Sequence, residues 1–193
     1  MLSKLFPVTD YTKLQYDTQG LYSITHPKEA NDISKIIINE LVKLNITDFS
    51  ILDGTGGIGG NTFSFSKYFN KITTIELDNI RYNMLINNTR IYNLKNINIK
   101  NENSVEYLYN NYSNYKIYYF DPPWGGPDYK KKNKITLLMG SKTLVDIIIY
   151  LKKVTRRKLL VYKLPFNYNF SEFNMFSHKM YKVRNYFIVI IKI

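Results

Sequence analysis

The chain contains no cysteine. That absence excludes disulfides, thiolate zinc sites and any reaction needing a thiolate nucleophile, cytosine C5 methylation among them. Histidine is nearly as scarce. His26 and His178 stand far apart in no HxxxH or HxH spacing, so no metal site is expected. Acidic residues number 15 against 27 Lys and Arg, and the resulting formal charge of +12 favours a polyanionic partner such as nucleic acid. No apolar run reaches the roughly 18 residues of a membrane span, and no signal-peptide pattern appears. A soluble, intracellular protein without a membrane or metal partner is expected.

What is present suffices for one core: 193 residues, 45% of them apolar, predict a single domain over 1–193 with 1–24 as an N-terminal extension lacking clear periodicity. A helix begins near His26-Pro27, with Thr25 as its N-cap and Ile33, Ile36, Ile37, Leu41 and Leu44 at helical spacing. Short apolar runs then alternate with longer amphipathic segments. Strands are expected at Phe49 to Leu52, Ile72 to Ile75, Ile97 to Ile99, Ile117 to Phe120 and Leu159 to Tyr162. Helices are expected from about Asn61 to Tyr68, Ile80 to Tyr92, Val105 to Tyr109 and Lys142 to Lys152. This rhythm predicts an α/β fold with a doubly wound, mostly parallel sheet. Met180 to Val183 and Tyr186 to Ile193, meeting at Arg184-Asn185, predict an antiparallel hairpin at its edge.

Two motifs carry chemistry. The first is Ile51-Leu52-Asp53-Gly54-Thr55-Gly56-Gly57-Ile58-Gly59-Gly60-Asn61-Thr62, a buried strand ending in an acid and a glycine-rich turn before a helix. Gly57 and Gly59 let backbone approach a ligand closely. Asp53 would repel a phosphate and suits an ammonium group, which points to S-adenosylmethionine. Glu76, ending the next strand, is placed to accept from ribose hydroxyls, with Asp78 as its rival, and Asn103 is placed to read an adenine edge.

The second motif is Asp121-Pro122-Pro123-Trp124, continued by Gly125-Gly126-Pro127-Asp128-Tyr129. Methylation of a base amine is an in-line displacement, and the protein's task is to orient a nucleophile whose lone pair is delocalised. The Asp121 carboxylate and Pro122 carbonyl form an acceptor pair for the amine hydrogens, two prolines stiffen the loop, and Trp124 offers a ring to stack on the base. Lys130, Lys131, Lys132 and Lys134 follow closely enough to meet phosphates. Arg156, Arg157 and Lys158 precede a strand at the opposite end of the sheet and are left outside the site.

The run Asp121 to Tyr129 resembles the PPWGGPDY motif of the trimethylguanosine synthases, which methylate the guanine N2 of 7-methylguanosine RNA caps. Asp17 with Gly20 to Thr25 is similar to that family's D-x-x-G-(W/Y)-(F/Y)-S-(V/I)-T segment, and Gly57 to Thr62 to its G-V-G-G-N-T loop; Glu76, Asn103 and Leu164-Pro165 also fit. The resemblance implies a seven-stranded Rossmann-like methyltransferase sheet, the catalytic core alone, acting on 7-methylguanosine-capped RNA with S-adenosylmethionine as cofactor. It implies catalytic roles for Asp121 and Pro122, and substrate contacts from Pro123, Trp124, Asp128, Tyr129, Lys130 and Lys131. It implies cofactor contacts from Thr25, Asp53, Thr55, Gly57, Gly59, Asn61, Thr62, Glu76 and Asn103. The 7-methylguanine charge would strengthen stacking on Trp124. Three departures stand out: Thr55 replaces a common first glycine, Asp121 replaces the serine of cellular members, and Phe166 stands where an arginine is expected. An adenine-N6 methyltransferase on DNA or RNA and a non-catalytic cap-binding module are the alternatives, and a monomer is favoured.

Overall fold

The computed structural model describes residues 2–7 and 11–193; Met1 and residues 8–10 of the N-terminal segment lie outside the described residues. The apolar runs form strands β1 (Ser50–Asp53), β2 (Lys71–Ile75), β3 (Ile97–Lys100), β4 (Ile117–Phe120), β5 (Leu138–Met139), β6 (Lys142–Thr143), β7 (Leu159–Pro165), β8 (His178–Val183) and β9 (Tyr186–Lys192). The helices are α1 (Leu2–Leu5), α2 (Thr18–Ser23), α3 (Pro27–Lys43), α4 (Gly60–Tyr68), α5 (Asn79–Ile91), α6 (Ser104–Asn111) and α7 (Leu144–Val154).

Seven strands form one sheet in the order β3-β2-β1-β4-β7-β9-β8. The first five run parallel, β9 is antiparallel to β7, and β8 pairs antiparallel with β9. This is the doubly wound sheet with a C-terminal hairpin that the alternation predicts. Both faces are covered, which is why β4 carries four apolar residues that are all fully buried rather than an alternating pattern. Tyr118 and Phe120 pack with Leu108, Leu144, Ile147 and Leu151 on one side. Ile117 and Tyr119 pack with Ile33, Ile37, Leu41 and Phe65 on the other. Phe6 and Leu14 bury against Ile58, Phe63 and Leu85, so the N-terminal segment is pinned to the glycine-rich loop and α5.

Local chemistry sets the boundaries, and several differ from the sequence expectation: β1 runs one residue later, at Ser50–Asp53, β7 runs on to Pro165 and β8 starts at His178. α3 is capped by His26, whose Nδ1 accepts from Lys28 N–H, while Thr25 turns inward and is buried. α7 starts at Leu144 rather than Lys142, because Thr143 and Asp146 form a reciprocal capping box and Lys142–Thr143 pair with Leu138–Met139 as a two-stranded ribbon. The hairpin turn does fall at Arg184-Asn185, with Arg184 in the left-handed region at φ 50.

The hairpin is held to α3 by two acids: Glu29, which accepts from Tyr186 Oη at 2.9 Å and pairs with Arg184 Nη1 at 2.8 Å, and the buried Glu40. Glu40 on α3 accepts from Lys179 Nζ at 2.8 Å, Tyr181 Oη at 2.7 Å and Lys43 Nζ at 2.6 Å. Burial alone would raise its carboxyl, but the hydrogen bonds from Lys179, Lys43 and Tyr181 prevail and draw it down to about 2. A depressed carboxyl stabilises the fold above its ordinary value of 4.5 and ceases to do so as pH falls toward 2. Glu40→Ala, which leaves β8 facing α3 without its acceptor, should lose about 3 kcal/mol in urea unfolding at neutral pH. Glu40→Gln should flatten the fall in melting temperature below pH 4.5; an unaltered acid limb would show that Glu40 does not couple the hairpin to α3.

Candidate active site

The order β2-β1-β4-β7 places the topological switch point between β1 and β4, because the chain leaves β1 in one direction along the sheet and β4 in the other. Ligands of such sheets bind outside the carboxyl ends of the strands. Both sequence motifs lie there: Asp53 ends β1 and Asp121 directly follows β4.

The glycine-rich loop is bound from below and open above. Gly56 N–H donates to Ile75 O at 2.8 Å, and Gly59 takes φ +115, where a Cβ would lie 2.0 Å from the Phe63 ring. Gly57, at φ +54, faces empty space, with nothing within 4 Å of a Cβ built on it. Asp53 does not line that space. Its carboxylate is fully buried beneath the loop, accepting from Thr62 Oγ1 at 2.7 Å and from Thr55 N–H at 3.2 Å, and burial pushes it up to about 6. The expectation of a direct contact between Asp53 and an ammonium group is therefore corrected: Asp53 and Thr62 hold the loop. Asn61 has an acceptor to spare for such a role: its Nδ2 donates to Thr25 Oγ1 at 3.0 Å, and its buried Oδ1 has no partner among the described residues.

Glu76 follows β2 and accepts from Gly57 N–H at 2.8 Å and Asp78 N–H at 2.9 Å, retaining lone pairs for further donors. Its rival is occupied: Asp78 caps α5 through Ile80 and Arg81 N–H and pairs with the Arg81 guanidinium at 3.0 Å. Asn103 spends its Oδ1 on capping α6, which leaves Nδ2 as its free donor group. An open glycine cradle, an orphaned amide oxygen and a strand-end carboxylate fit a nucleoside that carries hydroxyls and an ammonium group.

Thr55, where a glycine is common, links the motifs: its Oγ1 accepts from Asp121 N–H at 2.8 Å. The principal feature the sequence did not assign is Lys163. It lies mid-strand in β7, its side chain 7% exposed, with Nζ 2.6 Å from Asp121 Oδ2, 2.9 Å from Thr25 Oγ1, and 5.3 and 4.8 Å from the ring centres of Trp124 and Tyr186. Its signal was there to find, as a charge interrupting the otherwise apolar Leu159–Pro165 run. Burial pushes the Asp121 carboxyl above its ordinary value, with the Lys163 charge offsetting part of the rise.

Trp124 is half-buried, met edge-on by Tyr129 at 5.1 Å and flanked by Tyr186 at 6.2 Å. Tyr129, expected as a substrate contact, is buried and packs edge-on against Trp124. Pro122 is buried and Pro123 exposed. Asp128 pairs with Lys131 at 2.6 Å on the exposed turn Pro127–Lys131, and Lys130 lies over the Tyr129 ring. Phe166 is exposed at the end of β7 and supplies no cation.

Comparison with known proteins agrees with this geometry. Residues 49–192 match the family described as RNA cap guanine-N2 methyltransferase. An uncharacterized protein of Acanthamoeba polyphaga mimivirus, L320, is 31% identical over 188 residues, covering 86% of this chain and 73% of that protein. The trimethylguanosine synthase of Schizosaccharomyces pombe is 32% identical over 145 residues, 72% of this chain but 57% of the yeast protein's length. Among solved structures, a Thermus thermophilus 16S rRNA N2 G1207 methyltransferase in complex with AdoMet and guanosine superposes with a TM-score of 0.63 at 14% identity, over 88% of this chain and 44% of that one. A putative Escherichia coli methyltransferase superposes with a TM-score of 0.54 at 17% identity, over 84% of each chain. With the cofactor loop and the Asp-Pro-Pro-Trp segment meeting at the switch point, the chain is an S-adenosylmethionine-dependent methyltransferase and belongs to the RNA cap guanine-N2 methyltransferase family.

Proposed function

We propose that this chain methylates the exocyclic N2 amine of 7-methylguanosine RNA caps. The observation that carries this reading is the placement of the Asp121 carboxylate, pinned through its own N–H to the cofactor loop at Thr55 and ion-paired to Lys163, three residues before the half-exposed Trp124 ring. The family match and the fission-yeast trimethylguanosine synthase support it.

When bound, S-adenosylmethionine supplies a methyl group activated by its sulfonium. The chain's own residues then have a positioning task. Glu76 accepts from the ribose hydroxyls, the Asn61 Oδ1 accepts from the ammonium group, and Gly57 leaves room for the backbone to approach. Leu77, 70% exposed beside Glu76, offers an apolar surface to the adenine. Asp121 and the Pro122 carbonyl accept the two hydrogens of the guanine amine, which turns its lone pair outward. Lys163 is a positioning residue: it fixes the Asp121 carboxylate and favours its charged form. Trp124 stacks on the base, whose N7 methyl makes it cationic.

Incubated with labelled cofactor, the protein should methylate m7GpppA and leave GpppA and unmethylated DNA nearly untouched. Equal turnover of GpppA and m7GpppA would sink the cap assignment, and DNA labelling would move it to adenine N6.

Glu76→Gln should weaken cofactor binding in calorimetry by about tenfold, as a charged acceptor is worth roughly 1.5 to 3 kcal/mol, with cap binding retained. Unchanged cofactor affinity would remove Glu76 from the site.

Lys163→Met should raise the Asp121 carboxyl further, since the offsetting charge is lost. The carboxylate is the working form and exists above its pKa, so the acidic limb of the kcat profile should move to higher pH while activity at about pH 9 is largely kept. Lys163→Arg should retain the parent profile. Asp121→Ser alone strands a buried ammonium, and adding Lys163→Met should recover part of the lost turnover. A kcat profile indifferent to residue 163 would reduce Lys163 to a packing role.

A further inference from the structure

The sheet end opposite the active site concentrates positive charge. Lys71 opens β2, Lys116 immediately precedes β4, Lys158 immediately precedes β7, and Lys192 closes the antiparallel β9. The backbone ladder makes them neighbours. Lys71 pairs with Ser50, Lys116 N–H donates to Ser50 O at 3.1 Å, Leu159 N–H donates to Lys116 O at 2.9 Å, and Leu159 pairs with Lys192. With strands about 4.8 Å apart, the row covers roughly 19 Å from β2 to β9. Lys152, Arg156 and Arg157 lie alongside, at and beyond the C-terminus of α7.

None of these cations pairs with a carboxylate among the described residues. Four of them are held by neutral groups instead. Lys158 Nζ donates to Tyr112 O and lies 5.5 Å from the Tyr118 ring centre, Lys152 Nζ donates to Lys192 O at 2.8 Å, Arg156 Nη1 donates to Thr155 O at 2.7 Å, and Lys71 sits 5.9 Å from the Tyr115 ring centre. Asp48 is tied to the Ser50 N–H at 2.9 Å. Complementing the helix dipole accounts for Lys152 and Arg156 at the end of α7, but not for Lys71 or Lys116, which begin strands. Uncompensated like charges so close cost stability; burial together with Lys116 pushes the Lys158 ammonium down to about 8. Beside the row stand half-buried tyrosines: Tyr109 and Tyr150 with ring centres 4.0 Å apart, and Tyr112 at 6.1 Å from Tyr150.

We propose that the cations of this row other than the buried Lys158, with the flanking tyrosines, bind the phosphodiester backbone of single-stranded RNA, as a second contact surface for the body of the transcript. Cations spread along one end of the sheet suit a phosphate chain, and rings beside them suit bases that have left a duplex. An acidic protein would require neither. Asp121 and Lys116 are separated along one short strand, about 17 Å at strand rise, so the surface lies within reach of nucleotides that follow the cap and not of the cap itself. The inference rests on the RNA substrate of the proposed function.

The test compares a 5′-m7G-capped 20-nucleotide pyrimidine RNA with m7GpppA, using Lys71→Gln/Arg156→Gln/Arg157→Gln and the corresponding Glu triple variant. All three positions are exposed, so folding is expected to persist, and a parent-like melting curve confirms it for the neutral triple. The capped RNA should show a KM about tenfold higher, with KM for m7GpppA unchanged, and its binding should lose about two units of log–log salt slope for three phosphates released. Unchanged KM and slope would overturn the proposal. So would displacement of fluorescent uncapped RNA by poly-glutamate as effective, per charge, as by RNA. If the parent fails on m7GpppA, the cap reading falls separately, because uncapped RNA binding still reports on the row.

Discussion

The site depends on one buried ammonium. Lys163 reaches from the middle of β7 to Asp121 after β4 and to Thr25, 138 residues away in sequence, and its charge faces the rings of Trp124 and Tyr186. A buried lysine is costly unless paired and hydrogen-bonded, and here both conditions are met by groups from different parts of the chain. The N-terminal segment, the Asp-Pro-Pro-Trp loop and the C-terminal hairpin are thereby fixed relative to one another. The chain carries an acid before Pro-Pro-Trp, and Lys163 is the compensation that makes the acid tolerable.

The cofactor half shows the same economy of contacts. Asp53, buried with Thr62 and the Thr55 N–H, holds the glycine loop from below, and Glu76 takes the Gly57 N–H from the side. Thr55 then passes the constraint on to Asp121 N–H. Loop and motif are thus spaced by hydrogen bonds already made in the protein, which suits a reaction whose main demand is alignment of amine and methyl group.

Three carboxylates stand at one end of the sheet and three lysines at the other. Asp53, Glu76 and Asp121 gather at the carboxyl ends of the strands, while Lys71, Lys116 and Lys158 stand at their amino ends. A uniformly basic composition would not require this separation. It sets three carboxylates at the end of the sheet that takes the cationic cofactor.

Sequence alone determined what depends on local pattern: the alternation of buried runs and amphipathic segments, the hairpin at Arg184-Asn185, and the joint presence of a glycine loop and an Asp-Pro-Pro-Trp segment. Each of these is written within a window of some ten residues, through periodicity, turn chemistry or a contiguous motif. What needed the tertiary structure was every choice between partners distant in sequence. Thr25 reads as a helix cap, yet Asn61 and Lys163 draw it inward; Asp53 reads as a ligand, yet helix α4 seals it under the loop; Tyr129 reads as a substrate contact, yet it is buried with Trp124 and Asn167 against it. Lys163 could be seen in the sequence as a charge in a buried strand, but its meaning could not, because the acid that pairs with it directly follows a neighbouring strand and only the order of the sheet brings them 2.6 Å apart.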